Sequence, residues 1–500
     1  MTQLEHLDPT STEDPRAALN LRWTHVDDHY VDGAWRTSSS AARLPVIDPA
    51  TEQEWGSVPD ADAADLDAAM TAAHRAFTTG PWRSTTAAER AALLLRMADE
   101  VEARAEPLGA TNTRENGSPV AETRGAAANA ASILRYFASL APMVDDVDIR
   151  PAPAGGFETV VRREPLGVCA LVAPWNFPIN RVGIKLAPAL LAGNTVVIKP
   201  APSTPLSIRY VVDAAEAAGL PPGVVNLVTG DNATGEALVR HPLTAKVAFT
   251  GSTPVGRRIA SACGELLRPV TLELGGKSSA VVLPDADLGV LAGALLRCSM
   301  RNSGQTCYIS TRVLAPVERY DEVVELVTAT VSAAQVGDPL DPATVVGPVA
   351  TAAQQAKVLA LIDTARREGA RVTTGGTAPE RTGYYVSPTV LADVDPGSTI
   401  AQQEVFGPVV TVTPYRDVDE AVVIANNTAF GLGGVVFGSD PDAALAVAER
   451  MDTGSVGINF FASNHAAPFA GRHDSGLGVE YGPEGLGAYL AYKSVHRRPS

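Results

Sequence analysis

Between Gly167 and Gly275 the chain alternates short apolar runs with longer helical stretches, and this alternation restricts the fold more than any other feature. The runs 168–173, 195–199, 224–228 and 246–249 are rich in valine, leucine and isoleucine. Helical periodicity fills the intervals 179–191, 206–218, 234–239 and 255–267. Repeated strand–helix–strand units predict a parallel, doubly wound α/β sheet. Ligands of such sheets bind at the carboxyl ends of the strands. The residues that follow each strand are therefore the first candidates for a site.

Three of those strand ends are polar loops: Pro174-Trp175-Asn176-Phe177-Pro178, Lys199-Pro200-Ala201-Pro202 and Thr250-Gly251-Ser252-Thr253-Pro254-Val255-Gly256. The last opens a helix, where free backbone N–H groups and the helix dipole suit a phosphate. It carries neither GxGxxG nor the Gly-Lys-Ser/Thr of a P-loop, so alone it is a weak signal. A further run, 270–274, contains Glu273 and leads into Gly275-Gly276-Lys277. A carboxylate inside an apolar run is costly to bury. Either the strand is an edge with Glu273 facing water, or Glu273 is a base poised near neutral pH.

Cys307 follows Asn302-Ser303-Gly304-Gln305-Thr306. Small and amide neighbours let a substrate carbon approach the sulfur, although an isolated cysteine is as a rule a buried structural residue. The four cysteines (Cys169, Cys263, Cys298 and Cys307) show no CxxC or metal-ligand spacing, which predicts a reducing compartment, no disulfide scaffold and no metal. A formal net charge of −16 argues against nucleic acid or an acidic membrane as partner. The polar, acidic start and the lack of a long apolar run point to the cytoplasm.

Five hundred residues exceed one core and predict two or three domains. Residues 1–22 read as a polar tail and 28–36 as a short strand and turn. Helices are expected over 63–77, 85–115 (opened by the capping-box pair Thr86 and Glu89) and 120–140. After a polar, proline-rich stretch, 159–164 reads as an exposed strand that crosses to another subunit. The second half repeats the α/β style, with helices over 285–294, 320–334, 352–368 and 418–426. Strands are expected over 312–315, 409–413, 434–437, 455–459 and 489–495.

Taken in order, Pro174–Pro178, Lys199-Pro200, Phe249–Gly256, Glu273–Lys277, Asn302–Cys307, Glu404–Pro408 and Pro468–Gly476 resemble the motifs of the aldehyde dehydrogenase superfamily over nearly the whole chain. The resemblance implies a Rossmann-like dinucleotide-binding domain (23–141 and 164–275), a second α/β catalytic domain (276–477) and a small β oligomerisation extension (142–163 and 478–500). It also implies roles: Cys307 as nucleophile, Asn176 as oxyanion-hole amide, Glu273 as general base, and Lys185 close to the active site. Trp175, Lys199, Gly251, Ser252, Gly256, Leu274, Glu404 and Phe406 fall at cofactor-contacting positions. The implied reaction is hydrolytic oxidation of a small-molecule aldehyde to the acid through a thioester. NAD is the expected cofactor with NADP possible, in a homodimer or homotetramer.

This sequence departs from that pattern in several places. Pro202 stands where many members carry a glutamate that accepts the adenosine-ribose hydroxyls, which leaves NADP open. Ala470, His473 and Val479 replace the usual glycine, lysine and arginine near subunit contacts. Arg181, Met300 and Arg301 occupy places where relatives often show apolar, tunnel-lining residues. Those arginines either turn outward to solvent or touch the substrate. A non-catalytic relative would have been free to lose Asn176, Glu273 or Cys307, and all three are present. A Cys–His hydrolase is a poor reading, because His241 and His465 sit in no recognisable motif.

Overall fold

The computed structural model describes residues 25–498, so the expected tail 1–22 lies outside the described residues. The alternating segment forms the centre of an eight-stranded sheet. Its spatial order is Ala34–Thr37, Asp28–Val31, Val225–Leu227, Thr195–Lys199, Val168–Val172, Thr244–Thr250, Val270–Glu273 and Gly476–Leu477. The five middle strands are parallel. Two of them, Val168–Val172 and Thr244–Thr250, lie side by side although two strands separate them in sequence. Strand order reverses between them, and at such a switch point the loops on either side diverge and leave a crevice. One of those loops carries Trp175 and Asn176, the other Gly251 and Ser252.

The Glu273 strand is not an edge. Glu273 pairs with Thr250 on one side and with Gly476 on the other. The strand that covers it, Gly476–Leu477, comes from far along the chain. Gly476 takes φ +154°, and a Cβ there would run into the Leu272 carbonyl. That close approach closes the edge and buries Glu273 to 2% exposure.

A second, mostly parallel sheet follows the order Arg371–Thr374, Thr389–Ala392, Val409–Tyr415, Arg312–Pro316, Ser279–Val282, Gly434–Phe437 and Gly457–Ile458. Three antiparallel strands, Leu490–Arg497, Glu158–Pro165 and Asp148–Pro151, form a separate sheet. Glu158–Pro165 is its middle strand, paired on both sides. The outer positions belong to Asp148–Pro151 and Leu490–Arg497.

Several expected elements are reshaped for physical reasons. The stretch 85–115 is two helices, Ala87–Glu102 and Ala105–Asn116. Pro107 has no N–H to give the Ala103 carbonyl, and its ring crowds that carbonyl, which favours the break between the two helices. The capping box at Thr86 and Glu89 is present in both directions. The 120–140 stretch divides at Gly125 into Val120–Thr123 and Ala126–Ser139. The helix expected over 285–294 begins later and runs on as Leu288–Ser299, because Asp287 caps it by accepting from the Gly289 and Val290 N–H groups. An unexpected hairpin, Arg43–Asp48 with Gln53–Pro59, packs Val46 and Val58 against Leu206. Among the described residues no helix is long and apolar enough to cross a membrane.

Candidate active site

The loop before the Arg312–Pro316 strand carries Cys307 into the crevice at the first sheet's strand ends. Its lining includes Pro174, Trp175, Asn176, Thr250, Gly251, Ser252, Glu273, Leu274, Cys307, Glu404 and Phe406. Three successive residues of the Cys307 loop are left-handed: Asn302 (φ 53°), Ser303 (φ 55°) and Gly304 (φ 77°). For the two non-glycine residues this conformation costs about 1–3 kcal/mol each. Hydrogen bonds hold them there. Ser303 Oγ accepts from the Gly347 N–H at 2.9 Å, and Ser118 Oγ donates to Asn302 Oδ1 at 2.6 Å. Gly304 packs against the Gly407 carbonyl so closely that a Cβ has no room. Gln305 Oε1 accepts from the Ala350 N–H at 2.9 Å.

The Asn176 loop is fastened to the same network. Asn116 Nδ2 donates to the Trp175 and Asn176 carbonyls at 3.1 and 3.2 Å. Asn302 Nδ2 donates to the Asn176 carbonyl at 3.1 Å. Asn176 itself gives one N–H to the Gln305 carbonyl at 2.9 Å, which leaves its second N–H for another acceptor. Side chain and nucleophile loop are thus fixed relative to each other.

Electrostatics follow from burial. Cys307 is 7% exposed, and burial together with nearby Glu273 pushes its thiol well above the ordinary range, against a lowering influence from Arg181. Burial likewise raises the Glu273 carboxyl, with Arg181 opposing. Neither Glu273 oxygen has a hydrogen bond of regular geometry, and the Cys307 thiol lies within its reach. Lys185 is wholly buried and donates to Thr250 Oγ1 at 2.5 Å and Glu480 Oε1 at 2.6 Å. Arg181 turns inward rather than to solvent, at 6% exposure. Arg301 is occupied elsewhere, by Glu122 at 2.9 Å and the Tyr308 hydroxyl at 2.6 Å.

The residues at the other end of the crevice fit a dinucleotide. Ser252 precedes the Thr253–Glu265 helix and makes no side-chain cap, so the first backbone N–H groups are left for an anion. Gly256 and Leu274 touch: a Cβ at Gly256 would strike the Leu274 side chain. Lys199 is buried, and burial lowers it to about 8 while Asp231 and Asp60 pull the other way. Glu404 accepts the Gly276 N–H at 3.1 Å, and burial raises it to about 7. The Trp175 and Phe406 rings meet edge to face at 5.2 Å. All the expected cofactor-contacting positions therefore lie along one cleft or, for Lys199 and Gly256, beside its strand ends. Among the described residues no group of histidines, cysteines or acids is arranged to hold a metal ion.

Sequence reasoning missed Asn116, Ser118, Gln354 and Glu480. Asn116 carried a signal, since it precedes Gly117, whose φ of 76° ends the helix. Gln354 Nε2 holds the Val405 and Phe406 carbonyls at 3.0 and 2.8 Å. Glu480 falls in the segment 478–500 assigned to assembly, yet it is buried beside Lys185.

The sequence profile of the aldehyde dehydrogenase family matches residues 35–495. The chain is 47% identical over 468 residues to the geranial dehydrogenase of Castellaniella defragrans, covering 93% of this chain and 98% of that one. It is 40% identical over 470 residues to a betaine aldehyde dehydrogenase of Cereibacter sphaeroides, covering 94% and 96%. Among solved structures, a Mycobacterium tuberculosis aldehyde dehydrogenase complexed with NAD+ superposes with a TM-score of 0.92 at 39% identity, covering 95% of this chain and 98% of that one. A Pseudomonas syringae aldehyde dehydrogenase mutant, complexed with NAD+ and octanal, gives 0.91 at 38% identity, again covering 95% and 98%. The α/β fold and the crevice at the switch point define a dinucleotide-dependent oxidoreductase. The chain belongs to the aldehyde dehydrogenase family, and its activity is the oxidation of an aldehyde with NAD+.

Proposed function

We propose that the chain converts an aldehyde, an oxidised dinucleotide and water into a carboxylic acid, a reduced dinucleotide and a proton, through a thioester on Cys307. The supporting observation is the convergence of Cys307, the Asn176 amide and an unpartnered Glu273 carboxyl in one buried crevice. Cys307 gives up its proton to solvent, and the thiolate adds to the aldehyde carbon. The alkoxide that forms is held by the free Asn176 N–H and the Cys307 backbone N–H. When bound, the nicotinamide ring supplies the acceptor for the hydride that leaves this carbon. Glu273 then removes a proton from the water that attacks the thioester carbonyl. The C–S bond breaks, the acid departs and Cys307 is restored. Lys185 keeps Glu480 paired beside these groups.

Cys307 shares one buried apolar cluster with Tyr308, Phe469 and Tyr481, and Phe461 packs against that cluster. Tyr308 stacks on Phe461 at 4.8 Å, and Phe469 meets both Tyr308 and Tyr481 edge to face. This cluster, together with relatives named for geranial or solved with octanal, supports an apolar aldehyde as substrate. Incubation with geranial, octanal and betaine aldehyde, each with NAD or NADP, tests the reading by the absorbance of the reduced cofactor. Turnover of the apolar aldehydes with NAD is expected. No turnover with any aldehyde would overturn it.

A homodimer or homotetramer is part of the proposal. The three-stranded sheet exposes Ile149 (47%), Tyr492 (68%) and Val495 (42%). An outer strand bearing apolar side chains invites a partner strand. Four free, buried cysteines support a reducing compartment such as the cytoplasm.

A further inference from the structure

Ser118 joins two carboxamides that reach the Asn176 loop from different parts of the chain. It follows the left-handed Gly117 at the end of the Ala105–Asn116 helix and is 2% exposed. Its backbone N–H donates to Asn116 Oδ1 at 3.0 Å, and its hydroxyl donates to Asn302 Oδ1 at 2.6 Å. With both oxygens occupied in this way, both amino groups are turned towards the loop. Asn116 Nδ2 donates to the Trp175 and Asn176 carbonyls at 3.1 and 3.2 Å, and Asn302 Nδ2 donates to the Asn176 carbonyl at 3.1 Å. A carboxamide turned over would set its oxygen against a carbonyl oxygen, two acceptors with no hydrogen between them. A main-chain N–H can only donate, so the chain itself locks Asn116 in the right sense. The corresponding lock on Asn302 is a side chain, the Ser118 hydroxyl. The loop held in this way carries the Asn176 amide, which gives one N–H to the Gln305 carbonyl at 2.9 Å and keeps the other for an alkoxide.

We propose that Ser118 is a positioning residue for the reaction: its hydroxyl orients the Asn302 carboxamide, and through it holds the Asn176 amide where the alkoxide forms. Without the hydroxyl, Asn302 Oδ1 is left buried and unpaired, which favours rotation of the amide towards another donor. The Asn176 loop then loses one of its three anchoring bonds, and the free Asn176 N–H drifts from the position the alkoxide takes. Small displacements of such a donor matter, because its contribution depends on being in place before charge develops. The nucleophile loop has further anchors of its own, Ser303 Oγ on the Gly347 N–H and Gln305 Oε1 on the Ala350 N–H, both at 2.9 Å. The sulfur therefore stays in place when the Asn302 amide turns. The inference rests on the reading of Asn176 as the amide that holds the alkoxide.

Two rates measured on the full chain test it. One is the first turnover of octanal with NAD, read by stopped-flow absorbance of the reduced cofactor. The other is alkylation of Cys307 by iodoacetamide, located by mass spectrometry. Alkylation displaces iodide and forms no alkoxide, so it reports the nucleophile without the oxyanion amide. In Ser118→Ala the first-turnover rate constant is expected to fall about tenfold, less than the 10²–10³-fold typical of deleting a donor outright. Alkylation stays within about twofold of the parent. Ser118→Thr keeps the hydroxyl, and the small cavity lined by Ser118, Asn112, Thr123 and Phe177 takes its extra methyl, so the first turnover is restored most of the way. Ser299→Ala removes a buried hydroxyl that makes no hydrogen bond and should change neither rate. An unchanged first turnover in Ser118→Ala overturns the proposal. So does an equal fall in alkylation, since the nucleophile loop rather than the amide would then have moved, and so does a loss that Ser118→Thr fails to reverse. If Ser118→Ala does not fold, Ser118→Gly is measured against the same criteria. A parent that oxidises no aldehyde, or is alkylated at a cysteine other than Cys307, would instead overturn the underlying reading of the site, a separate failure.

Discussion

Replacing Lys185 by methionine removes the one close cationic partner of Glu480 while keeping much of the side-chain volume. In the folded protein Lys185 is 0% exposed, and its ammonium spans Thr250 Oγ1 at 2.5 Å and Glu480 Oε1 at 2.6 Å. Removing one member of a buried pair costs about 3–5 kcal/mol, because the other charge is left uncompensated. Arg181 stands 3.9 Å from the second oxygen of Glu480 and offsets part of that loss. The lower end, about 3 kcal/mol, is therefore expected. With a urea dependence of about 3 kcal/mol per molar, typical of the upper range, the unfolding midpoint falls by about 1 M. Adding Glu480→Gln removes the stranded charge and should recover more than half of the loss, which a double-mutant cycle reads directly. The midpoint is followed by tryptophan fluorescence. A Lys185→Met midpoint indistinguishable from the parent, or a double variant less stable than Lys185→Met, would refute the reasoning.

Other outcomes follow from residues at the cofactor end and the outer sheet. Pro202 neither accepts from ribose hydroxyls nor repels a phosphate, so NAD is expected to be preferred over NADP by about tenfold or less, about 1.4 kcal/mol. Pro202→Glu should widen that gap, as compared by kcat/KM for both cofactors; a parent strongly selective for NADP would contradict it. Lys199 is lowered by burial to about 8, so it is charged below that pH and loses its charge above it. The NADP-to-NAD ratio of kcat/KM should therefore fall between about pH 7 and pH 9, since a neutral amine no longer attracts the 2′-phosphate. A flat ratio would mean that Lys199 does not reach that phosphate. Light scattering at micromolar concentration should report a dimer or tetramer, and Tyr492→Asp with Val495→Asp should weaken it by placing charge on the outer strand. A monomeric parent would exclude the proposed assembly.

How much of this was readable in the sequence depends on distance along the chain. The parallel strands of the first sheet were legible because each is a continuous apolar run between helical stretches, and their loops placed Asn176 and Gly251 at the strand ends. The status of Glu273 was not, because Gly476–Leu477, the strand that covers it, is a two-residue segment with no pattern of its own. Pro107 did carry the signal that divides the 85–115 stretch, but strong alanine-rich periodicity on both sides obscured it. The hairpin of Arg43–Asp48 and Gln53–Pro59 has prolines at 45 and 59 and little alternation, so nothing local announced it. Glu480 and Asn116 enter the site only through folding. Their partners, Lys185 and the Asn176 loop, are remote in sequence, and a lone glutamate or asparagine gives no clue to such a contact. Arg181 was visible as an oddity at its position, but only its burial decides that it faces inward.

The central claim is that Cys307 carries the acyl group and Glu273 releases it, and Glu273→Gln tests that division of labour most directly. The amide keeps the shape of the carboxyl but cannot take a proton from water. Mixing the variant with an apolar aldehyde and NAD in a stopped-flow instrument should give a first-turnover burst of reduced cofactor close to one equivalent per site. Steady turnover should then collapse by about 10²–10⁴-fold, while mass spectrometry of the quenched protein finds the acyl group on Cys307. Steady turnover within a few fold of the parent, or an acyl group on any other residue, would contradict the account.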